Sequence, residues 1–250
     1  MSQKPSDKII NYLIFGGMLI SVLVATIFKF IGSEGGNTVL LILAAIGAVM
    51  GVCNVLFAAN GSILAFIFGL ADVVICCIIL WDSGVMGNFA MHLFYFLPMQ
   101  FVGWWQWKKR GAKESLKEED KVKARRFSAG TLVLWTAIYL AGAVALFFIL
   151  LEVDLAKGLE PDYMKIAMDA AIVAGNIVGQ ILMSWAYMDQ WYFWILVDVC
   201  SVVLWARLLG TQAGATYALV NLVKYAFYLL NACNGLRMWW RMSREEAAKQ

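Results

Sequence analysis

Two pairs of side chains in the second half of the sequence are spaced to hold a flat, polar solute. Trp191 and Trp194 are three residues apart, and Asn221 and Tyr225 are four apart, so each pair shares one face of a helix. An indole face attracts a cationic ring, while amide and phenol groups supply uncharged hydrogen-bonding partners. Both pairs are therefore candidates for a non-covalent binding site.

Each pair also has an ordinary structural interpretation. The two tryptophans fall near the predicted end of a helix, where an aromatic belt often marks a membrane surface. Asn221 and Tyr225 could simply bridge neighbouring helices, as polar residues in membrane helices often do. The residues alone leave both interpretations open.

The chain that carries these residues is too apolar for a water-soluble domain. Hydrophobic residues make up 62% of its 250 residues, charged residues only 15%, and the mean hydropathy is +0.73. About 20 apolar residues cross a bilayer, which predicts an all-α membrane protein with about eight transmembrane helices. The predicted spans are residues 9–31, 38–59, 62–81, 86–107, 128–151, 164–187, 190–209 and 214–240.

The distribution of charge predicts the orientation of these spans. Residues 108–126 contain nine Lys or Arg against four acidic residues, which places this loop in the cytoplasm by the positive-inside rule. Both termini then lie in the cytoplasm as well. The mixed signs of the loop indicate a solvated linker, and no nucleic-acid partner is predicted.

The sequence contains an internal duplication. Residues 71–74 (Ala-Asp-Val-Val) match residues 197–200 (Val-Asp-Val-Cys) at an offset of 126, and the offset is 133 in the helix that follows. The seven extra residues fall in the outer loop and at the start of the last helix. Three helices therefore recur, and the single helix between the two sets makes them parallel, a transporter architecture with its site at the repeat interface.

The duplication divides the chain into six parts. They are residues 1–37 (tail and extra N-terminal transmembrane helix), 38–107 (first three-helix repeat), 108–127 (charged cytoplasmic loop), 128–151 (linker helix), 164–241 (second repeat) and 242–250 (cytoplasmic tail).

Several intramembrane polar residues occupy matching positions of the two repeats. Asn88 matches Asn221, and His92 matches Tyr225, which favours a lining role at the pseudo-axis for all four. His92 could sense pH, although a hydrogen-bonding or packing role is the preferred interpretation.

A further matched pair lies on the first helix of each repeat. Asn54 matches Gln180, and Asn176 lies one turn from Gln180. Contact with a solute and packing between helices are equally compatible with these positions.

Matched carboxylates lie in the middle of two predicted helices. Asp72 and Asp198 occupy equivalent positions, and an intramembrane carboxylate suggests function by default. Their presence in both repeats favours a structural role, and proton coupling stays open.

Catalytic and cofactor motifs are absent from the sequence. It has no GxxxxGK[ST] loop, no HExxH and no CxxC among its five cysteines, and a single histidine. We therefore predict no catalytic residue, metal site or cofactor. An integral-membrane enzyme is a remote alternative that would have only Asp72, Asp198 and His92 to use.

The 3+1+3 arrangement resembles the SWEET sugar transporters, and the details resemble the PnuC family of vitamin transporters over residues 38–241. The most specific motifs are W-x-x-W at residues 191–194 and N-x-x-x-Y at residues 221–225. The sequence Gly-Trp-Trp-Gln-Trp at residues 103–107 is also similar to that family.

This resemblance implies uptake of nicotinamide riboside by facilitated diffusion with trapping inside the cell. It favours substrate stacking for Trp191 and Trp194, the latter more strongly. Related transporters take thiamine or riboflavin, so these vitamins are alternatives. The resemblance also implies a homotrimer in the inner membrane of a bacterium.

Overall fold

The computed structural model describes residues 5–32, 38–82, 86–115, 117–209 and 215–248, and these contain helices and connections but no β-strand. The helices are α1 (Pro5–Gly32), α2 (Thr38–Ala59), α3 (Leu64–Asp82), α4 (Met86–Met91), α5 (Leu97–Lys109), α6 (Ala129–Ala156), α7 (Tyr163–Ser184), α8 (Gln190–Leu209) and α9 (Ala215–Ala247). Six of them, namely α1, α2, α3, α6, α7 and α8, are long and apolar enough to cross a bilayer.

The helix bounds follow the predicted spans with two differences. A π-helical turn, His92–Phe96, joins α4 to α5, so the predicted span 86–107 is one helical rod with a local irregularity. Helix α9 continues to Ala247, into the segment that was predicted as a tail. Residues 210–214, in the outer loop where part of the seven extra residues of the duplication is predicted to fall, lie outside the described residues.

Pro98 explains the π-helical turn. Proline lacks an amide hydrogen, and its ring clashes with the carbonyl of the residue four positions earlier, here Phe94. Within the turn the backbone widens, and the amide of Leu97 donates to the carbonyl of His92. The Tyr95 hydroxyl, placed in the turn, donates to the carbonyl of Ile177 on α7 at 2.6 Å. The irregularity therefore also links α4–α5 to α7.

Two tight hairpins, one between α2 and α3 and the other between α7 and α8, have the same backbone geometry. Gly61 and Ala186 both have a left-handed φ, +69° and +60° respectively. The preceding helices end alike, with Gly61 donating to Ala58 and Ala186 donating to Met183. Ala186 adopts a conformation that glycine would hold without strain, so the surrounding packing must stabilise it.

The connector, residues 110–128, crosses both hairpins. The amide of Val122 donates to the carbonyl of Gly61 at 3.0 Å, and the amide of Arg125 donates to the carbonyl of Ala186 at 2.8 Å. The amide of Phe127 donates to Asp189 Oδ2 at 2.8 Å. The segment predicted as a solvated loop is therefore anchored to the helical bundle at three points.

Two buried tryptophans tie the halves of the bundle together. Trp107 Nε1 on α5 donates to the carbonyl of Met183 on α7 at 2.7 Å. Trp239 Nε1 on α9 donates to the carbonyl of Ala58 on α2 at 2.9 Å. The two rings meet at 5.3 Å between centroids. Each half thus closes the end of a helix from the other half.

Helices α1 and α6 lie outside this arrangement. Helix α1 packs on α2 and α9 and is joined to them by Asn11, which donates to Asn60 at 2.8 Å and accepts from Asn234 at 2.7 Å. Helix α6 packs on α7, and most of its apolar side chains remain exposed.

Candidate functional site

A cavity of about 230 Å³ lies between α2, α7, α8 and α9. Its volume is just below the usual range for ligand pockets, about 300–1,000 Å³. The described lining residues include none from α3, α4 or α5. The cavity therefore uses three helices of the second half of the chain and one of the first. The lining polar and aromatic residues are Asn54, Asn176, Gln180, Trp191, Trp194, Asp198, Tyr225, Tyr228 and Asn231.

Trp191 forms a rigid wall of the cavity. Its side chain is 3% exposed and packs against the Trp239 ring at 6.3 Å between centroids. Gly235 on α9 makes room for it, because a Cβ there would lie 2.6 Å from the Trp191 ring. This burial excludes a membrane-surface belt as the role of Trp191.

Trp194 lies one turn further along α8, where a second glycine accommodates it. A Cβ on Gly179 would lie 3.0 Å from the Trp194 ring, so α7 approaches the indole closely. Trp194 Nε1 donates to Gln190 Oε1 at 3.3 Å. The ring is half-buried, with its remaining surface lining the cavity. Gly179 therefore leaves room for a tryptophan of the cavity.

Three buried polar atoms around the cavity have no hydrogen-bond partner within the described part of the chain. They are Gln180 Nε2, Trp191 Nε1 and Asn231 Oδ1, on side chains that are 6%, 3% and 2% exposed. A buried unpaired polar group costs about 1–3 kcal/mol. Two donors and one acceptor are therefore available to a bound solute, which would relieve that cost.

Neighbouring contacts fix the orientation of Asn231 and of the tyrosines on α9. Asn231 Nδ2 donates to the carbonyl of Val55 on α2 at 3.1 Å, which leaves its Oδ1 free for a solute. Tyr225 and Tyr228 pack edge-to-face at 5.9 Å. Lys224 Nζ lies over both rings, at 5.3 and 5.4 Å from their centroids.

Asp198 is the one acidic residue among the described lining residues of the cavity, and these include no Lys or Arg. Its side chain is 7% exposed. Lys224 acts on Asp198 and on Asp72 electrostatically, although it does not line the cavity. The charge that a solute would meet directly is therefore that of Asp198.

Asp72, matched to Asp198 from sequence, has different surroundings. Its carboxylate packs against α2, where a Cβ on Gly51 would lie 3.2 Å from Oδ2. Cys76 Sγ donates to Asp72 Oδ1 at 3.7 Å. Asp72 does not line the cavity, so the two carboxylates cannot share one role.

Five of the eight predicted site residues line the same cavity, and three do not. The cavity includes Trp191, Trp194, Gln180, Tyr225 and Asn54.

Asn221, one turn before Tyr225, does not line this cavity. Asn88 is exposed, and its carbonyl lies 2.8 Å from His92 Nδ1. The Nδ1 atom of His92 therefore contacts the backbone one turn earlier in the same helical rod. Asn88 and His92 therefore sit apart from the cavity residues.

Sequence reasoning missed Asn231 and gave Tyr228 no role. A signal was present, because Tyr225, Tyr228 and Asn231 recur every three residues, and residues three apart are neighbours on a helix surface. The N-x-x-x-Y motif favoured Asn221 instead, one turn before Tyr225.

Comparison with known proteins identifies the family. The model of the nicotinamide mononucleotide transporter family matches residues 41–241. The chain belongs to this family. It is 28% identical over 207 residues to the nicotinamide riboside transporter PnuC of Neisseria mucosa, covering 83% of this chain and 75% of that protein. It is 26% identical to the PnuC of Haemophilus influenzae, covering 80% of each.

The fold agrees with a solved member of this group. A crystal structure of the vitamin B3 transporter PnuC superimposes with a TM-score of 0.69 at 24% identity, covering 98% of this chain and 94% of that one. The family and its apolar helices make the chain a multi-pass membrane protein. Membership of a transporter family confirms the prediction that the chain is not an enzyme. The resemblance to PnuC is likewise confirmed.

Proposed function

We propose that this protein carries nicotinamide riboside across the membrane, through the cavity between α2, α7, α8 and α9. The relatives named above are nicotinamide riboside transporters. The observation that carries the proposal is a cavity with two tryptophans, one carboxylate and three unpaired polar atoms. Nicotinamide riboside carries a cationic pyridinium ring, a carboxamide and a ribose, and each has a chemical counterpart there.

The pyridinium ring is assigned to the tryptophans. A cation over an indole face gains about 0.5–2 kcal/mol, and Trp194 offers the more accessible face. Asp198 supplies a counter-charge from the same helix. The carboxamide of the substrate can accept from Gln180 Nε2 and donate to Asn231 Oδ1, while Tyr225 and Asn54 remain for the ribose hydroxyls.

The same chemistry favours the riboside over the mononucleotide named in the family description. A mononucleotide adds a phosphate with one to two negative charges. The described lining residues offer Asp198 and no Lys or Arg, so a phosphate would be buried beside a like charge without a cationic partner. The cavity therefore suits a cationic or neutral nucleoside.

Thiamine and riboflavin remain the alternative substrates. Thiamine also carries a cationic ring and riboflavin a flat polar one, so both could use the tryptophans. Asn221, Asn88 and His92 are proposed to line the transport path outside the cavity. Transport is proposed to be facilitated diffusion with metabolic trapping, and coupling to protons through Asp72 or Asp198 is the alternative.

We also propose that the bundle consists of two parallel three-helix repeats, α2 to α5 and α7 to α9, with α6 as linker and α1 outside, giving eight crossings. Four matching features support this proposal: the left-handed hairpin residues, the connector bonds, the tryptophan bonds and the glycine–aromatic contacts. These pair residues 61 and 186 at an offset of 125, and residues 107 and 239 at an offset of 132. Each of these offsets is one less than the corresponding offset from matching letters, 126 and 133.

The connector, with its seven basic residues, is proposed to face the cytoplasm, together with both chain termini. The membrane is proposed to be the inner membrane of a bacterium, since the named relatives are bacterial. Assembly as a homotrimer is proposed from the family resemblance, and the exposed apolar faces of the helices leave room for it.

Calorimetric titration of the purified, detergent-solubilised protein with nicotinamide riboside, thiamine and riboflavin in parallel tests the function. We expect saturable binding of nicotinamide riboside alone, followed by its flux into liposomes. Preference for another vitamin would retain the transporter and replace the substrate. No binding of any of the three by folded protein would refute the assignment of the cavity. Loss of liposome flux with a protonophore present would contradict facilitated diffusion, because no kinase is there to complicate the result.

A further inference from the structure

A second cavity, of about 410 Å³, lies where the connector meets the C-terminal end of α9. It is lined by Arg110, Arg125, Arg126, Ser243 and Glu246, and by Ala124 and Ala247. We call it the arginine pocket. Three guanidinium groups face one carboxylate, so the pocket is strongly positive. It shares no lining residue with the proposed substrate cavity.

Backbone contacts hold two of the arginines close together. Arg110 Nε donates to the carbonyl of Lys123 at 2.9 Å. The backbone of Arg125 is bonded on both sides, donating to Ala186 and accepting from Met188, each at 2.8 Å. The Arg125 side chain lies over the Tyr187 ring at 4.5 Å. The two side chains are therefore fixed by the fold rather than free to separate.

This proximity of like charges is electrostatically unfavourable. The pKa of Arg110 is lowered from its usual value, first by burial and then by the charge of Arg125. Its two Nη atoms donate to no protein group within the described residues. Glu246 only partly offsets the charge, because it also lies 4.0 Å from Lys123 Nζ.

We propose that the arginine pocket binds a phosphate group, held by the guanidinium forks of Arg110 and Arg125. A guanidinium donates two parallel hydrogen bonds to phosphate oxygens, and Arg126, stacked over Trp240 at 4.0 Å, adds charge at the rim. Two sources supply such a phosphate, an anionic lipid headgroup and a small phosphorylated solute, and the test below distinguishes them. Basic pockets at the cytoplasmic ends of membrane helices are known to hold lipid headgroups.

Thermal unfolding of the full chain in an uncharged detergent tests this site. One arm adds inorganic phosphate against sodium chloride of equal ionic strength. The other adds short-chain phosphatidylglycerol against the matching phosphatidylcholine. The variants are Arg110→Gln and Arg125→Gln, and the matched control is Arg244→Gln, which removes an exposed arginine of α9 outside the pocket. Circular dichroism without added anion shows that each variant is folded.

We expect the unfolding temperature of the parent and of Arg244→Gln to rise saturably with phosphate or with phosphatidylglycerol. Half-saturation should need about tenfold more ligand in Arg110→Gln, since a charge-assisted hydrogen bond is lost. A response to inorganic phosphate identifies a free phosphate as sufficient, and a response only to phosphatidylglycerol identifies a lipid headgroup. Either supports the proposal. Equal responses of Arg110→Gln, Arg125→Gln and the parent, or no saturable response to either ligand, would overturn it.

Discussion

The two hairpin regions of this protein are built alike, yet they contribute different side chains to the proposed substrate cavity: Ala58 precedes the first turn, and Met183 and Trp191 flank the second. On the first half, Phe66 packs against Trp107 at 4.9 Å, and a Cβ on Gly103 would lie 2.2 Å from the Phe66 ring. On the second half, Trp191 packs against Trp239, and Gly235 accommodates its ring. The same glycine–aromatic–tryptophan arrangement therefore occurs twice.

The two arrangements differ in the size and polarity of their central aromatic side chain, which is Phe66 in the first half and Trp191 in the second. Phe66 has no polar atom, whereas Trp191 carries an unpaired Nε1 at the cavity. One turn further along each helix, the first half has Gly69 packed against Asn54, and the second half has Trp194 packed against Gly179. The contacts that recur in both halves therefore stabilise the scaffold, while the proposed binding chemistry depends on a few side chains that differ between the halves.

The largest expected effect tests the mirrored scaffold. Trp107→Ala and Trp239→Ala should each lower the free energy of unfolding by about 3–5 kcal/mol, because each removes a fully buried ring and its bond to the opposite half. Trp105→Ala, at an exposed position of α5, is the control and should cost little. Thermal unfolding in detergent measures all three. A large cost for one buried tryptophan and none for the other would break the equivalence of the halves.

Adding a methyl group at Gly103 or at Gly235 distinguishes a glycine that only stabilises the fold from one that also shapes the binding site. Gly103→Ala and Gly235→Ala should each destabilise the fold by about 1–3 kcal/mol, since both place a methyl group inside an aromatic ring. Gly235→Ala should also weaken nicotinamide riboside binding by displacing Trp191, and Gly103→Ala should not. Calorimetry beside thermal unfolding checks this. Equal loss of binding in both variants would mean that the first half also shapes the site.

Removing the second cavity tryptophan should affect binding much more than stability. Trp194→Ala should weaken nicotinamide riboside binding by about 1–3 kcal/mol, by analogy with aromatic stacking on bases. Trp105→Ala again serves as the control and should bind like the parent. If Trp194→Ala is folded and binds like the parent, the cation does not stack there.

Two asparagine substitutions on α9 test where along this helix the binding site lies. Asn231→Ala should weaken binding by about 1–2 kcal/mol for a lost buried hydrogen bond. Asn221→Ala, outside the cavity, should leave equilibrium binding nearly unchanged and slow liposome flux if the residue lines the path. The opposite ranking in calorimetry would move the site towards the other end of α9, as the N-x-x-x-Y motif suggested.

The smallest expected effect is at Asp189, whose carboxylate accepts a hydrogen bond from the amide of Phe127 and so ties the connector to the second hairpin. Burial raises the pKa of Asp189, although the amide of Phe127 opposes this. The folded state therefore holds this proton more tightly than the unfolded one, so stability falls as pH rises from the unfolded to the folded pKa. Asp189→Asn should keep the acceptor and gain about 0.5–1 kcal/mol at neutral pH. The gain should vanish at acidic pH in thermal unfolding, and Asp189→Leu, which lacks the acceptor, should lose stability throughout.

The sequence by itself determined the helical class, the approximate spans and the family. Long apolar stretches in a chain with few charges leave helices as the way to satisfy backbone hydrogen bonds in lipid. Short motifs such as W-x-x-W can be recognised in the sequence because helical spacing alone places their residues on one helix face. Trp191, Trp194 and Tyr225, which the sequence predicts as substrate-binding residues, line one cavity, and their contact with a substrate stays a prediction.

Only the tertiary structure decided which polar residues meet across helices. Helical spacing specifies the face of a residue but not the depth at which a neighbouring helix crosses it. Asn231 and Asp198 line the cavity, while Asn221 and Asp72 do not. Helices α2 and α8 pack against α9 directly, and helical spacing within one sequence segment does not specify where along α9 that packing occurs. In the proposed repeats, residues 61 and 186 and residues 107 and 239 are equivalent at offsets of 125 and 132, each one less than the offset that matching letters suggest. Packing between the two halves of the chain therefore determines which residues line the cavity. The residue pattern within each half does not.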